Sequence, residues 1–138
     1  MKKRIISIIL VCCMALLTMP FATYAALPET VEPLWDNTNI FTATLSFNGT
    51  RGTATVYVDG QSGVTDITLE IKLYYKNTSG SWIEVDKDWN YDVNSSTFAV
   101  SETFTGVSGR EYKIVVKGTV TKAGYAETIS KIATAMCK

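Results

Sequence analysis

The 138-residue chain contains no histidine. That removes the commonest general base and most transition-metal sites, and with them every serine–histidine and cysteine–histidine nucleophile system. Cysteine is nearly as scarce: Cys12, Cys13 and Cys137 are the only three. No Gly-rich phosphate loop or dinucleotide fingerprint occurs, because the glycines punctuate apolar runs instead of opening helices. Prolines number three, all before Leu34. Beyond the first 25 residues no long apolar run exists, and no stretch repeats a helical period.

The chain opens with Lys2, Lys3 and Arg4, followed by the apolar stretch Ile5 to Leu17 and by Pro20. Thr23, Tyr24 and Ala25 place small residues where a signal peptidase reads them. This is the pattern of a secretory signal peptide over residues 1–25; the apolar part falls short of the roughly 20 residues a membrane span needs. A lipoprotein reading of Cys12 or Cys13 fails, since Val11 and Cys12 are not the small residues required before the acylated position. Cleavage after Ala25 leaves ten Lys and Arg against thirteen Asp and Glu, a charge of −3. No basic cluster remains for nucleic acid or an anionic membrane surface. Only Cys137 survives such processing, so no internal disulfide forms. At the penultimate position, where chains fray, its thiol is expected to be exposed, either available for an intermolecular disulfide or an unpaired tail cysteine with no role. Leu27 to Val31, "LPETV", resembles a sortase signal, but Val31 replaces the required glycine and no apolar segment and basic tail follow. Residues 26–39, with Pro28, Pro33 and Trp35, read as an extended lead-in.

From residue 40 onward apolar and polar side chains alternate with period two, as half-buried strands do. Phe41, Ala43, Leu45 and Phe47 share one face, against Thr42, Thr44 and Ser46. Ala54, Val56 and Val58 follow, then Ile67, Leu69, Ile71, Leu73 and Tyr75. Phe98, Val100 and Phe104 continue the series, and Tyr112, Ile114, Val116 and Val120 extend it. Turn residues separate the runs, among them Asn48-Gly49, Asn77-Thr78-Ser79-Gly80 and Lys122-Ala123-Gly124. Strand starts are expected near residues 40, 53, 66, 81, 96, 110 and 124. The last run, Tyr125 to Lys138, is the least regular, and reads as a strand in preference to a short helix. Seven short strands spanning residues 40–138 predict an all-β, antiparallel immunoglobulin/fibronectin-III-like sandwich. Tyr112 opens its run just after a Gly-containing turn, as a tyrosine corner does.

The stretch "GSWIEVDKDWNYD", Gly80 to Asp92, concentrates aromatics and acids. By parity Ile83, Val85, Trp89 and Tyr91 face inward, while Trp82, Glu84, Asp86 and Asp88 face solvent; a bulge near Lys87 would alter that. Trp82 and Tyr74, with Glu84 and Asp86, form the candidate ligand-binding surface, suited to stacking on a sugar ring; the other reading of Trp82 is packing, its large apolar face covering one edge of the sandwich. The acids recur as a strand's solvent face does, which disfavours a glycosidase pair, and they lack the glycine and terminal glutamate of an EF-hand loop. Neither a metal nor another cofactor is implied. Three Asn-x-Ser/Thr triplets, at Asn48, Asn77 and Asn94, read as turn residues.

The order "GTATVYV", then "SWIEVDKDW", then "GREYKIVVKGTVT" resembles a group of small secreted Gram-positive (Firmicute) proteins of unknown function with an immunoglobulin-like sandwich. The resemblance spans about residues 40–134. It implies an exported domain and transfers no site residues. The expectation is therefore a secreted, non-enzymatic module that binds an extracellular protein or acts structurally. The alternative is a carbohydrate-binding module built around Trp82.

Overall fold

The structure is a computed structural model that describes residues 34–138. The expected signal peptide, the Leu27–Val31 motif and most of the lead-in lie outside the described residues. Seven strands follow one another: β1 Thr38–Asn48, β2 Arg51–Gly60, β3 Val64–Lys76, β4 Trp82–Val93, β5 Thr97–Thr105, β6 Glu111–Lys122 and β7 Tyr125–Met136. They form a three-stranded sheet, β1-β2-β5, and a four-stranded sheet, β4-β3-β6-β7, with every paired neighbour antiparallel. This is the all-β immunoglobulin/fibronectin-III-like sandwich expected from the alternation, with the fourth strand on the larger sheet. Each strand begins within two residues of its expected position, and the last run is a strand.

The inner faces are the apolar halves of the alternating runs. Ile67, Ile71 and Leu73 on β3 sit beside Val120, Val116 and Ile114 on β6, and each of the six is at most 1 % exposed. Across the sandwich Phe41, Ala43 and Leu45 lie beside Val58, Val56 and Ala54. Burying one such side chain is worth about 1.5–3 kcal/mol, and no disulfide assists. Gly118 opposes Leu69 in this layer. A Cβ there would stand 2.0 Å from the Thr68 carbonyl oxygen and 2.6 Å from the Leu69 side chain, so no other residue fits.

Aromatic rings plug both ends. Trp35 packs edge-on to Phe41 with centroids 5.6 Å apart, which draws the described part of the lead-in into the core. At the other end Phe47, Phe104 and Tyr112 meet pairwise at 5.3–5.6 Å. The Val107 amide donates to the Tyr112 hydroxyl over 2.9 Å, five residues back along the chain. That bond is the tyrosine corner, and it ties the β5–β6 loop to the first turn of β6.

Polar side chains close the two flanks. On one flank β1 and β7 run parallel, side by side. Glu127 accepts from the amides of Asp36 and Asn37 and from the Thr38 hydroxyl, while the Asn37 amide group donates to the Val120 and Tyr125 carbonyls. Further along, Lys131 donates to the Phe41 carbonyl over 3.0 Å. A bulge at Asn39 shifts the β1 register. It turns Thr38 inward, so β1 begins two residues before the alternation shows it. On the other flank Glu102, which pairs with buried Ala54 and so points inward, accepts a 2.6 Å bond from the Tyr91 hydroxyl. Inward-facing charges of this kind hinder edge-to-edge association.

Cys137 corrects the expectation of a frayed, exposed thiol. It is fully buried. Its amide donates to Arg110 and its carbonyl accepts from Gly109, extending the β6–β7 pairing past Met136. Its sulfur lies 3.7 Å from the Gly49 carbonyl oxygen. An intermolecular disulfide would require this end to open, because the tail is held by backbone bonds that the sequence pattern did not reveal. Ile83 keeps the inward parity expected of it, pairing with Tyr75, but at the start of edge strand β4 it stays 38 % exposed. The three glycosylation-like triplets behave as turns; Asn77 Oδ1, for example, accepts from the Ser79 and Ser81 amides.

Two tests follow from the hydroxyl bonds. Tyr112→Phe is expected to lower unfolding free energy by about 1–3 kcal/mol through one unpaired buried amide; an unchanged denaturation midpoint would remove the corner's role. Burial first, and then the bond to Glu102, push the Tyr91 hydroxyl up to about 12. Because the folded state favours the neutral phenol, its contribution is complete below the ordinary tyrosine value and disappears as pH rises through about 12. Chemical denaturation between pH 9 and pH 12 is expected to show a smaller alkaline loss in Tyr91→Phe than in the parent.

Candidate binding surface

The outer face of the four-stranded sheet carries the predicted site. Outward parity on β3 presents Glu70, Lys72, Tyr74 and Lys76 in a row. The β3–β4 register sets Tyr74 beside Glu84 and Lys76 beside Trp82. The β3–β6 register sets Tyr74 beside Lys113, and just past its last pair Lys76 meets Glu111. Four of these residues alternate along β3 because a strand turns every second side chain to the same face.

Three of the four sequence-predicted residues come together. The Tyr74 hydroxyl donates to Glu84 over 3.2 Å. Trp82 lies two residue pairs further along, half-buried, with the Lys113 ammonium 4.5 Å from its ring centre. The same ammonium lies 4.8 Å from the Tyr74 ring, so one cation spans both aromatics. Lys76 approaches Trp82 at 5.3 Å from another side. Cation–π contacts at such exposed positions contribute about 0.5–1 kcal/mol each.

Asp86 does not join them. Between the pairs Lys72–Asp88 and Tyr74–Glu84, β4 runs four residues while β3 runs two. Asp86 sits in the middle of that bulge, exposed. The expected irregularity near Lys87 is thus real, but it inserts two residues, so Val85 and Trp89 both still face inward. Lys87 leaves the bulge to donate to the Thr103 carbonyl at 3.2 Å and to lie over Trp89. That contact links β4 to the edge of β5.

Charges in the cluster are mostly matched. Lys72 bonds Glu84 at 3.1 Å and lies 3.8 Å from Glu70. The Glu84 hydrogen bond and charge hold the Lys72 ammonium above its ordinary range. Lys76 pairs with Glu111 at 2.8 Å. The Tyr74 hydroxyl is pushed up by burial and then by its bond to Glu84. Among the described residues Lys113 has no carboxylate partner within ion-pair distance; its ammonium faces two rings and solvent. Sequence reading missed Lys113 because only the β6 register brings it to the aromatics, although its outward parity in the Tyr112 run was visible.

Further along the same face lies an open depression of about 510 Å³, bordered by Thr68, Glu70, Asn90, Asp92, Lys117 and Thr128. The Thr68 and Thr119 hydroxyls bond each other on its floor at 2.7 Å. Among the described residues no three acidic or cysteine side chains converge on a metal-sized space, and every buried side-chain polar atom has a partner.

No protein-family model and no curated protein matches the chain. Two solved structures are similar at the level of backbone path. A β-glucuronidase from Parabacteroides merdae is 10 % identical with a TM-score of 0.39; the match covers 72 % of this chain and 13 % of that one. A CARDB domain from Pyrococcus furiosus, solved in complex with di-metal ions, is 12 % identical with a TM-score of 0.38, covering 78 % of this chain and 98 % of that one. The chain thus spans only a small part of the glucuronidase.

Trp82→Ala and Lys113→Ala are each expected to melt cooperatively, with losses of about 1 kcal/mol or less beyond the packing of the indole. A broad, non-cooperative transition in Trp82→Ala would show that the indole is a packing element of the sheet.

Proposed function

We propose that the protein is a secreted, non-enzymatic β-sandwich module that binds an extracellular protein through the Tyr74–Trp82–Lys113 surface. One observation carries this reading: a lysine without an acidic partner is poised over two half-buried rings, between the Lys72–Glu84 and Lys76–Glu111 pairs. Such a site offers a directional cation beside apolar area, the combination that anchors protein interfaces. A carboxylate on the partner would complete the charge of Lys113. The rings would be covered without moving the flanking Lys72–Glu84 and Lys76–Glu111 pairs.

The leader pattern of residues 1–25 supports export. The absence of histidine and the open, shallow character of the face support a role without catalysis. A carbohydrate-binding module around Trp82 is the second reading, favoured by the proximity of Trp82 and Tyr74. Against it, Lys113 occupies the space over both rings that a pyranose would need.

The test compares two probes. Photo-crosslinking from position 113 on the native cell surface, followed by affinity measurement with the captured protein, is expected to show at least a tenfold loss in Lys113→Ala and Trp82→Ala. Glycan arrays are expected to be silent. Binding of a neutral glycan that is lost in Trp82→Ala and kept in Lys113→Ala would replace the first reading with the second.

A further inference from the structure

We propose that a second copy of this chain docks on the outer face of the three-stranded sheet, opposite to the surface just described and independent of it. The face is built almost without charge. Register places Ser46, Thr53 and Thr103 in one row and Thr44, Thr55 and Ser101 in the next. Thr42, Tyr57 and Ala99 form the third row. Only the end rows carry charges, Arg51 at one end of β2 and Asp59 at the other. The opposite sheet, by contrast, presents charged side chains along β3, β4 and β6. Solvated faces ordinarily mix both signs throughout, and the centres of interfaces are the places where charge is depleted.

Two features choose a second copy as the occupant. The first is charge. Arg51 and Asp59 lie equally far from Thr55 along β2. A two-fold axis across the strands over Thr55 sets Arg51 of each copy against Asp59 of the other and Thr55 against Thr55. That makes the patch self-complementary, as an isologous dimer requires. The second is shape and desolvation. Two twisted sheets pack face to face at about −30° because their twists match, which a flat or rod-like partner would not. The Thr55 and Ser101 hydroxyls already bond each other at 2.9 Å, so each keeps a partner when that central row is covered. Three strands at about 4.8 Å and five rows at about 6.7 Å, with side-chain overhang, give roughly 600 Å² per copy. The total of about 1,200 Å² lies at the low end of specific interfaces, so the dimer is expected to be reversible.

The experiment is sedimentation equilibrium over a micromolar-to-millimolar series, using protein expressed from the full-length coding sequence. A monomer–dimer equilibrium is expected. Thr55→Lys, which sets two ammonium groups against each other on the axis, is expected to abolish it. Arg51→Asp and Asp59→Arg are each expected to weaken it about tenfold by facing like charges. The double swap is expected to restore the parent affinity. Thermal melts of every variant check folding, and Thr44→Lys, at an exposed position, replaces Thr55→Lys if that variant melts early. A monomer at every concentration, a dimer indifferent to Thr55→Lys, or a double swap no better than the single changes would each overturn the proposal.

Discussion

Everything in this fold depends on apolar burial between two sheets that nothing covalent holds together. With no disulfide and no cluster of metal-ligating side chains among the described residues, the inner faces must supply the cohesion. They do so because the side-chain period of a strand is two. Parity then dictates everything outside the core as well. Once Ile67, Ile71 and Leu73 are committed inward, Lys72, Tyr74 and Lys76 are committed outward, and the sheet register decides which neighbours they meet. The candidate site is in that sense a by-product of the core: Lys113 reaches Tyr74 because Tyr112 and Ile114 are buried on either side of it.

A sandwich of this kind has four edge strands, and its flanks are where it is vulnerable. Both are closed by charged or polar side chains that break the simple inside–outside rule. Glu127 gathers the backbone amides where β1 begins, and Lys131 takes a β1 carbonyl four residues later. Glu102 turns into the opposite flank and is satisfied by Tyr91, while Lys87 reaches the β5 edge from the β4 bulge. These groups lie where the apolar layers end, so they satisfy exposed backbone at little desolvation cost, and they make the edges poor templates for another strand.

What was legible in the sequence follows from the same logic. Runs such as Ile67 to Tyr75 announce strand, face and approximate limits together, and Tyr112 after a Gly-containing turn announced its corner. Where the structure departs, a local irregularity or a long-range partner intervenes. The bulge at Asn39 buries Thr38, which alternation alone marks as solvent-facing. The two-residue bulge of β4 removes Asp86 from Trp82 and Glu84 although all three share parity. Cys137 is buried through bonds to Arg110 and Gly109, which are distant in sequence and carry no pattern. Ala123 adopts a positive φ of 51° beside Gly124; the turn was evident, whereas the strained residue was not, since asparagine or glycine ordinarily fills that position.

The two outer faces differ more than folding requires. Either would be soluble with scattered charges, and β-propensity alone favours threonine on both. Yet the acids and lysines concentrate on β3, β4 and β6, while β1 has none and β2 and β5 have three between them, Arg51, Asp59 and Glu102. Glu102 is spent on the flank. The separation gives the faces different physical properties. A face of acids and lysines with Lys113 over two rings presents long-range attraction and an aromatic anchor. A face of hydroxyls and methyls presents little cost of dehydration and no repulsion toward its own image. Occupying one leaves the other open, so both contacts can coexist on a single chain. A dimer would then carry two Lys113 surfaces facing away from each other, and two weak contacts on one target surface would reinforce one another through effective concentration.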